Sequence, residues 1–116
     1  SAMKMSYAGI TKGLTALGAM MLLAATRGGV AEGLRMELER SQPALLPWLQ
    51  RSIPAMYSKA YRFVGEMEEI ADYVGEDASA QEMFDAFADF YTRLAADFDG
   101  KQEEVNALTA FLKPKS

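Results

Sequence analysis

The stretch that decides the fold is SAMKMSYAGITKGLTALGAMMLLAATRGG, residues 1–29. After two lysines near its start, it runs without charge over residues 13–26. The pattern predicts one helix from about Met3 to Arg27, which would be ~37 Å long at a rise of 1.5 Å per residue. Gly28 and the glycine after it provide the end of the helix.

The apolar residues of this helix lie on more than one face, so we expect the helix to be the central member of the domain rather than a surface helix. One face is a heptad-like stripe of large side chains at alternating four- and three-residue steps. The stripe consists of Met3, Tyr7, Ile10, Leu14, Leu17 and Met21. A second face carries Gly9, Gly13, Ala16 and Met20, where small residues allow another backbone to approach closely.

The rest of the chain also shows helical periodicity. A helix is predicted from Val30 to Arg40, with Leu34 and Leu38 as its buried pair, and a short helical turn is predicted between Ser41 and Pro54. The next helix is predicted over about Ser52 to Val74. A further helix begins with the capping-box pair Ser79 and Glu82, and the last helix runs from Lys101 to Leu112. No window alternates with a period of two over a useful length, so no strand is expected. The sequence therefore predicts a single all-α domain over residues 1–116, with five or six helices around the long first one.

Composition excludes several classes of function. The net charge is −4, from 12 basic and 16 acidic residues, which disfavours nucleic acid as a partner. The chain has no Cys and no His, so thiol catalysis, His general bases and zinc–thiolate sites are excluded, and we expect no metal. The uncharged window of the first helix is shorter than the ~20 residues that span a bilayer, so we expect a cytoplasmic protein without a membrane partner.

The first and third predicted helices carry the candidate chemical groups. Lys4 is either an ordinary solvated lysine or a group that lines a cleft and transfers protons or binds an anion. Arg62 and Glu66 lie four residues apart on one helix face. They form either a surface ion pair or a site at which Arg62 grips a carboxylate or phosphate.

The run at residues 1–30 resembles the interdomain helix of the β-hydroxyacid dehydrogenases, a superfamily that includes 6-phosphogluconate dehydrogenase and 3-hydroxyisobutyrate dehydrogenase. In those enzymes the helix follows a Rossmann domain and opens an all-α C-terminal domain. A lysine near its start, usually in a KxxxN pattern, is the acid–base residue, and Lys4 occupies that position here. Residues 61–75, YRFVGEMEEIADYVG, are similar to a segment of a subgroup of 6-phosphogluconate dehydrogenase-like proteins.

The sequence departs from the family pattern in three ways. Ala8 stands where the pattern has Asn, and Met20 stands where an acidic residue is often found. No GxGxxG loop occurs anywhere in the chain. That loop holds the dinucleotide in a Rossmann domain, so the expected N-terminal cofactor domain is missing from this chain.

The resemblance implies the C-terminal substrate-binding and dimerisation domain of an oxidoreductase that uses NAD or NADP. Lys4 would be the catalytic residue, and Thr11, Lys12 and Arg62 would hold a small anionic substrate. The protein would form a homodimer through the long helix, and the isolated domain would be inactive because the cofactor binds mainly to the missing domain.

Two alternatives from other classes stay open. The first is a non-enzymatic assembly domain whose apolar first helix pairs with a partner chain. The second is a helix that binds the membrane surface. The net negative charge of the chain disfavours this alternative.

Overall fold

The computed structural model describes residues 1–115, and all regular secondary structure in that range is helical. The six α-helices are α1 (Ala2–Arg27), α2 (Ala31–Ser41), α3 (Leu45–Met56), α4 (Ala60–Tyr73), α5 (Ala78–Asp99) and α6 (Glu103–Leu112). A 3₁₀ turn over Tyr57–Lys59 joins α3 to α4. This architecture confirms the predicted all-α fold with a long N-terminal helix.

α1 is the central member of the domain, as predicted. It contacts each of the other five α-helices. Its 26 residues give a length of ~39 Å, close to the longest dimension of the molecule, 43 Å. By length and composition alone, α1 is long and apolar enough to cross a bilayer, and 44% of that apolar window is buried inside the domain.

The small face of α1 is the face that packs against the rest of the domain. Gly9 and Gly13 are both buried there. A Cβ atom on Gly13 would lie 3.2 Å from the ring of Phe87, and one on Gly9 would lie 3.3 Å from the ring of Phe84. The two glycines therefore allow the aromatic rings of α5 to reach the α1 backbone.

The large-residue stripe of α1 faces away from the core, which corrects the expectation that α1 is not a surface helix. Leu14 is half-buried, and the other five stripe residues are exposed. Their exposed fractions are 81% for Met3, 70% for Tyr7, 69% for Ile10, 44% for Leu17 and 56% for Met21. α1 is thus buried on its small-residue side and apolar on its solvent side.

The segment with three prolines differs from the prediction of a short turn followed by one helix over residues 52–74. It forms the full helix α3, and a 3₁₀ turn separates α3 from α4. Pro47 lies in the first turn of α3, where a backbone N–H has no partner within the helix, so proline is tolerated. Pro54 lies near the end of α3, and the regular α-helix stops two residues later.

The start of α5 also differs from the prediction. Asp77, not Ser79, is the N-cap residue, and its side chain accepts a hydrogen bond of 3.2 Å from the N–H of Ala80. Asp and Ser cap helices about equally well, so the pattern SAQE did not distinguish the true cap from a residue two positions inside the helix.

The buried residue of α2 is Arg35, not the predicted pair Leu34 and Leu38, which are half-buried. Arg35 donates from Nη1 to the carbonyl oxygens of Phe111 (2.6 Å) and Lys113 (2.8 Å). The last carbonyls of a helix lack partners within it. Arg35 supplies donors to the end of α6, and its positive charge complements the negative end of that helix.

Two glycines in helices test the packing of α1. Gly18→Ala would place a Cβ 2.7 Å from Cδ2 of the buried Leu49, whereas a Cβ on Gly65 would meet nothing within 4 Å. We expect Gly65→Ala to stabilise the domain by about 0.5–1 kcal/mol through helix propensity. Gly18→Ala should lower the free energy of unfolding by about 1–2 kcal/mol, because overpacking against Leu49 outweighs the same gain in helix propensity. Urea denaturation followed by circular dichroism measures both, and equal stabilisation by the two changes would contradict the close α1–α3 contact.

Candidate functional site

The first predicted site residue, Lys4, lies in the first turn of α1. Its side chain is exposed, and its backbone N–H donates 3.3 Å to the hydroxyl of Ser1, the N-cap residue. Within residues 1–115 the ammonium group of Lys4 takes part in no ion pair. The structure therefore leaves Lys4 free for a group that approaches this end of the helix.

Lys12 has a different environment, because it is a packing contact between helices. Its ammonium group forms an ion pair with Glu66 and lies 4.5 Å from the ring centre of Phe63, both on α4. Its backbone carbonyl accepts a hydrogen bond of 2.5 Å from the hydroxyl of Tyr91 on α5. Burial, and secondarily the charge of Glu66, raises the pKa of the Tyr91 hydroxyl, so this donor stays protonated. Lys12 thus joins three helices, and its charge is already balanced.

The other two predicted residues, Thr11 and Arg62, are on different helices. The half-buried Thr11 donates from its hydroxyl to the carbonyl of Tyr7 at 3.2 Å within α1. Arg62 is exposed on α4. Its expected partner, Glu66, pairs with Lys12 instead. Arg62 therefore has the availability that binding an anion requires, whereas the hydroxyl of Thr11 is occupied by its own helix.

The structure does not bring Lys4 and Arg62 together. α1 and α4 run antiparallel, with the Ser6 hydroxyl 3.0 Å from the Tyr73 hydroxyl at one end of their contact and Lys12 further along. Arg62 is eleven residues before Tyr73 in the sequence, which is ~16 Å along α4. A small anion could not contact Lys4 and Arg62 at the same time in this arrangement.

A cavity of about 280 Å³ lies between the N-terminal half of α1 and α4. Its lining is mostly apolar, with the hydroxyls of Ser6 and Tyr73 among the polar groups. Lys4 is not among the lining residues, because it lies on the opposite side of α1, ~160° around the helix from Ser6. The sequence did not indicate the Ser6–Tyr73 pair, since no motif links residues 67 positions apart.

Two further cavities adjoin α2, towards the other end of α1. The larger, of about 680 Å³, lies between the start of α2 and the residues after α6, and it is lined by charged side chains of both signs, among them Glu32, Arg35 and Lys115. Lys115 lies 3.7 Å from carboxylate oxygens of Glu32 and Glu39, so its charge is balanced within the domain. The smaller is an entirely apolar groove between α1, α2 and α3, which continues the exposed stripe. Among the described residues no group of three acidic side chains is placed to hold a metal ion.

These features define a small all-α domain whose central helix is packed on one side and apolar on the other. Residues 25–94 match the family described as "Domain of unknown function (DUF1932)". The match covers more than half of the chain, from the end of α1 into α5, and the chain belongs to this family. Neither the curated proteins nor the solved structures gave a match. Lys4, Thr11 and Lys12 precede the matched range, and Arg62 lies within it.

Proposed function

We propose that this chain is the substrate-binding and dimerisation domain of an NAD(P)-dependent oxidoreductase similar to the β-hydroxyacid dehydrogenases. The proposal is supported by membership in DUF1932, a family known as the C-terminal all-helical domain of 3-hydroxyisobutyrate dehydrogenase-like proteins. The feature of this chain on which the proposal depends is Lys4, an exposed lysine in the first turn of α1, at the position where the resemblance implies the acid–base lysine. The second lysine of α1, Lys12, is already paired.

In this proposal the neutral amine form of Lys4 accepts the proton of the substrate hydroxyl during oxidation, and the resulting ammonium group returns it in the reverse reaction. The flexible four-carbon stem of an exposed lysine can reach a substrate that another domain presents above the helix. Arg62 lies too far from Lys4 to bind an anionic group of the same small substrate, so we assign it no part in this step. Thr11 and Lys12 can contribute to substrate binding only if the substrate replaces their present hydrogen-bond partners within the domain.

The residues of this chain do not fit a dinucleotide site. No strand occurs within residues 1–115, and the chain has no GxGxxG turn to lead from a strand into a helix. NAD or NADP would therefore bind mainly to a separate Rossmann domain, and the isolated chain would have no hydride acceptor. We place the intact enzyme in the cytoplasm, with no membrane or nucleic-acid partner.

The proposal predicts activity only when the two kinds of domain are combined. A Rossmann domain from a β-hydroxyacid dehydrogenase, joined upstream of Ser1, should give hydroxy-acid-dependent reduction of NAD or NADP, measured as absorbance of the reduced cofactor. The isolated chain and the isolated Rossmann domain serve as controls and should be inactive. A joined protein that binds reduced cofactor, shown by fluorescence, yet turns over none of a panel of 2- and 3-hydroxy acids would contradict the proposal.

The alternative is a non-enzymatic helical assembly domain, favoured by the exposed apolar stripe of α1. An assembly domain requires that stripe but makes no use of Lys4. Activity that depends on Lys4 supports the oxidoreductase, whereas partner binding with no effect of Lys4 supports the assembly domain.

A further inference from the structure

The cavity between the N-terminal half of α1 and α4 has the composition of a small-molecule site. Its volume is about 280 Å³, and it extends to the ring of Phe84 on α5. Apolar side chains such as Met5, Ile70 and Phe84 form most of its wall, and Ser6 and Tyr73 supply hydroxyl groups. Sites for small molecules usually combine a concave apolar wall with a few placed polar groups. The cavity therefore has both of the features that such a site requires.

The apolar wall is fixed before any ligand binds. Ile70 is buried, and the ring of Phe84 packs edge-on against the ring of Phe87, with 5.2 Å between the ring centres. Gly9 is also buried, and a Cβ atom there would lie 3.3 Å from Cζ of Phe84 and 3.6 Å from Cγ2 of Ile70. The glycine thus lets both side chains close directly on the α1 backbone. A ligand loses least affinity to ordering when the wall that it contacts is already packed.

The two hydroxyl groups are bonded to each other but keep capacity for a third partner. Ser6 Oγ and Tyr73 Oη are 3.0 Å apart, so one hydrogen bond links α1 to the end of α4. That bond uses one hydroxyl proton and leaves the other, together with lone pairs on both oxygens. The pair can therefore donate a hydrogen bond to a ligand and accept one from it.

The charge of the ligand follows from the lining. The eight lining residues that the structure describes include no Lys, Arg, Asp or Glu. A carboxylate, phosphate or ammonium group placed there would lose its hydration without gaining a partner of opposite charge. Lys4 lies ~160° around α1 from Ser6, so a hydroxy acid bound to Lys4 does not occupy this cavity. The composition of the lining thus favours an uncharged ligand.

The size and the rings of the cavity define the ligand further. An apolar cavity of about 150 Å³ is enough to bind benzene. At about 280 Å³, this cavity has room for one ring with a short substituent. The rings of Tyr73 and Phe84 are part of the lining, and aromatic rings attract one another in edge-to-face and offset arrangements.

We propose that this cavity binds a small uncharged aromatic molecule that carries one hydroxyl group. The ring of the ligand packs against Ile70 and Phe84, and its hydroxyl hydrogen-bonds to the Ser6–Tyr73 pair. The site is separate from Lys4, and it goes beyond the proposed oxidoreductase function without depending on it.

The first test titrates the chain with p-cresol and follows its backbone amides by nitrogen–proton correlation NMR. We expect saturable binding with a Kd on the order of 1 mM, as for a ligand of this size. The shifted amides should include those of Gly9, Ile70 and Val74, whereas that of Leu38 in the apolar groove should not shift. Toluene, which lacks the hydroxyl, should bind roughly 3- to 10-fold more weakly. The carboxylate analogue, 4-methylbenzoate, should bind at least about 10-fold more weakly, because its charge has no partner.

The second test removes the hydroxyl of the protein with Tyr73→Phe. This change should weaken binding of p-cresol by roughly 3- to 10-fold and leave binding of toluene unchanged, because only p-cresol has a hydroxyl that loses its partner. Tyr61→Phe is the matched control, since Tyr61 is an exposed tyrosine of the same helix that does not line the cavity. Val74→Phe places a ring in the cavity and should abolish binding of both molecules. Circular dichroism establishes that each variant folds.

Three outcomes would overturn the inference. The first is the absence of p-cresol binding by the folded, unchanged chain. The second is a set of shifts that does not saturate and that spreads over the apolar groove, which would mean general adherence to apolar surface. The third is an equal loss for p-cresol and toluene in Tyr73→Phe, or equal affinities of the unchanged chain for the two, which would mean that the hydroxyl pair takes no part in recognition. None of these results bears on Lys4 or on the oxidoreductase proposal.

Discussion

Lys4→Met, in a protein that joins this domain to a Rossmann domain, is expected to lower kcat by about 10²–10⁴-fold, the usual contribution of a general acid–base group. Methionine retains the length and the helix propensity of lysine, and the side chain is exposed, so the fold should be unchanged. Lys4 forms no ion pair within residues 1–115, and the loss should therefore fall on kcat rather than on stability. Steady-state kinetics and urea denaturation measure the two effects separately.

Lys101→Met is the matched control, because Lys101 is also an exposed lysine but lies in the turn before α6. It should keep full activity. Lys4→Ala adds a stricter comparison: if Lys4 moves a proton, a small primary amine in the buffer should restore part of the lost rate, whereas a lysine needed only for folding would show no such rescue. Full activity of Lys4→Met would remove the catalytic role.

The helices were predictable because local periodicity determines them. The apolar run of α1 and the two glycines after it gave the bounds of that helix to within one residue. The choice of which apolar face of α1 is buried was not predictable, because both faces are apolar. The small face packs inward since Gly13 lets a ring of α5 approach the backbone, which a stripe of Met, Tyr and Ile does not allow.

The environments of the candidate site residues were harder to predict from the sequence than the helices were. The local rule for residues four apart pairs Arg62 with Glu66, yet Glu66 binds Lys12, which is 54 positions away. A partly buried ammonium group needs its partner more than an exposed guanidinium does, so the distant pairing prevails. The exposure of Lys4 agrees both with an ordinary solvated lysine and with a lysine that transfers protons or binds an anion. Only kinetic measurements on a Lys4 variant distinguish these two interpretations.

The burial of Arg35 was also unpredictable, because a charged residue on an amphipathic helix is normally placed in solvent. The cause lies in α6, whose terminal carbonyls need donors from outside the helix. Arg35 reaches the carbonyls of Phe111 and Lys113, and Gln50 of α3 donates 3.1 Å to that of Leu112. Three successive carbonyls are thus satisfied by side chains from two other helices.

Arg35→Met is therefore expected to lower the free energy of unfolding by about 3 kcal/mol, because it removes two hydrogen bonds from a charged donor and leaves their acceptors without it. The control is Arg40→Met on the same helix, where the side chain is 73% exposed and pairs with Glu37 at the surface. Such a pair contributes roughly 0–1 kcal/mol.

Arg35→Lys should be intermediate, since an ammonium group keeps the favourable charge at the end of α6 but lacks the planar fork that holds two carbonyls. Urea denaturation of the three variants at neutral pH gives the comparison. Equal stabilities for Arg35→Met and Arg40→Met would mean that the residues after α6 are held by apolar contacts alone. The expected order places Arg35→Met lowest, because burial turns an ordinary surface charge into the donor on which the end of α6 depends.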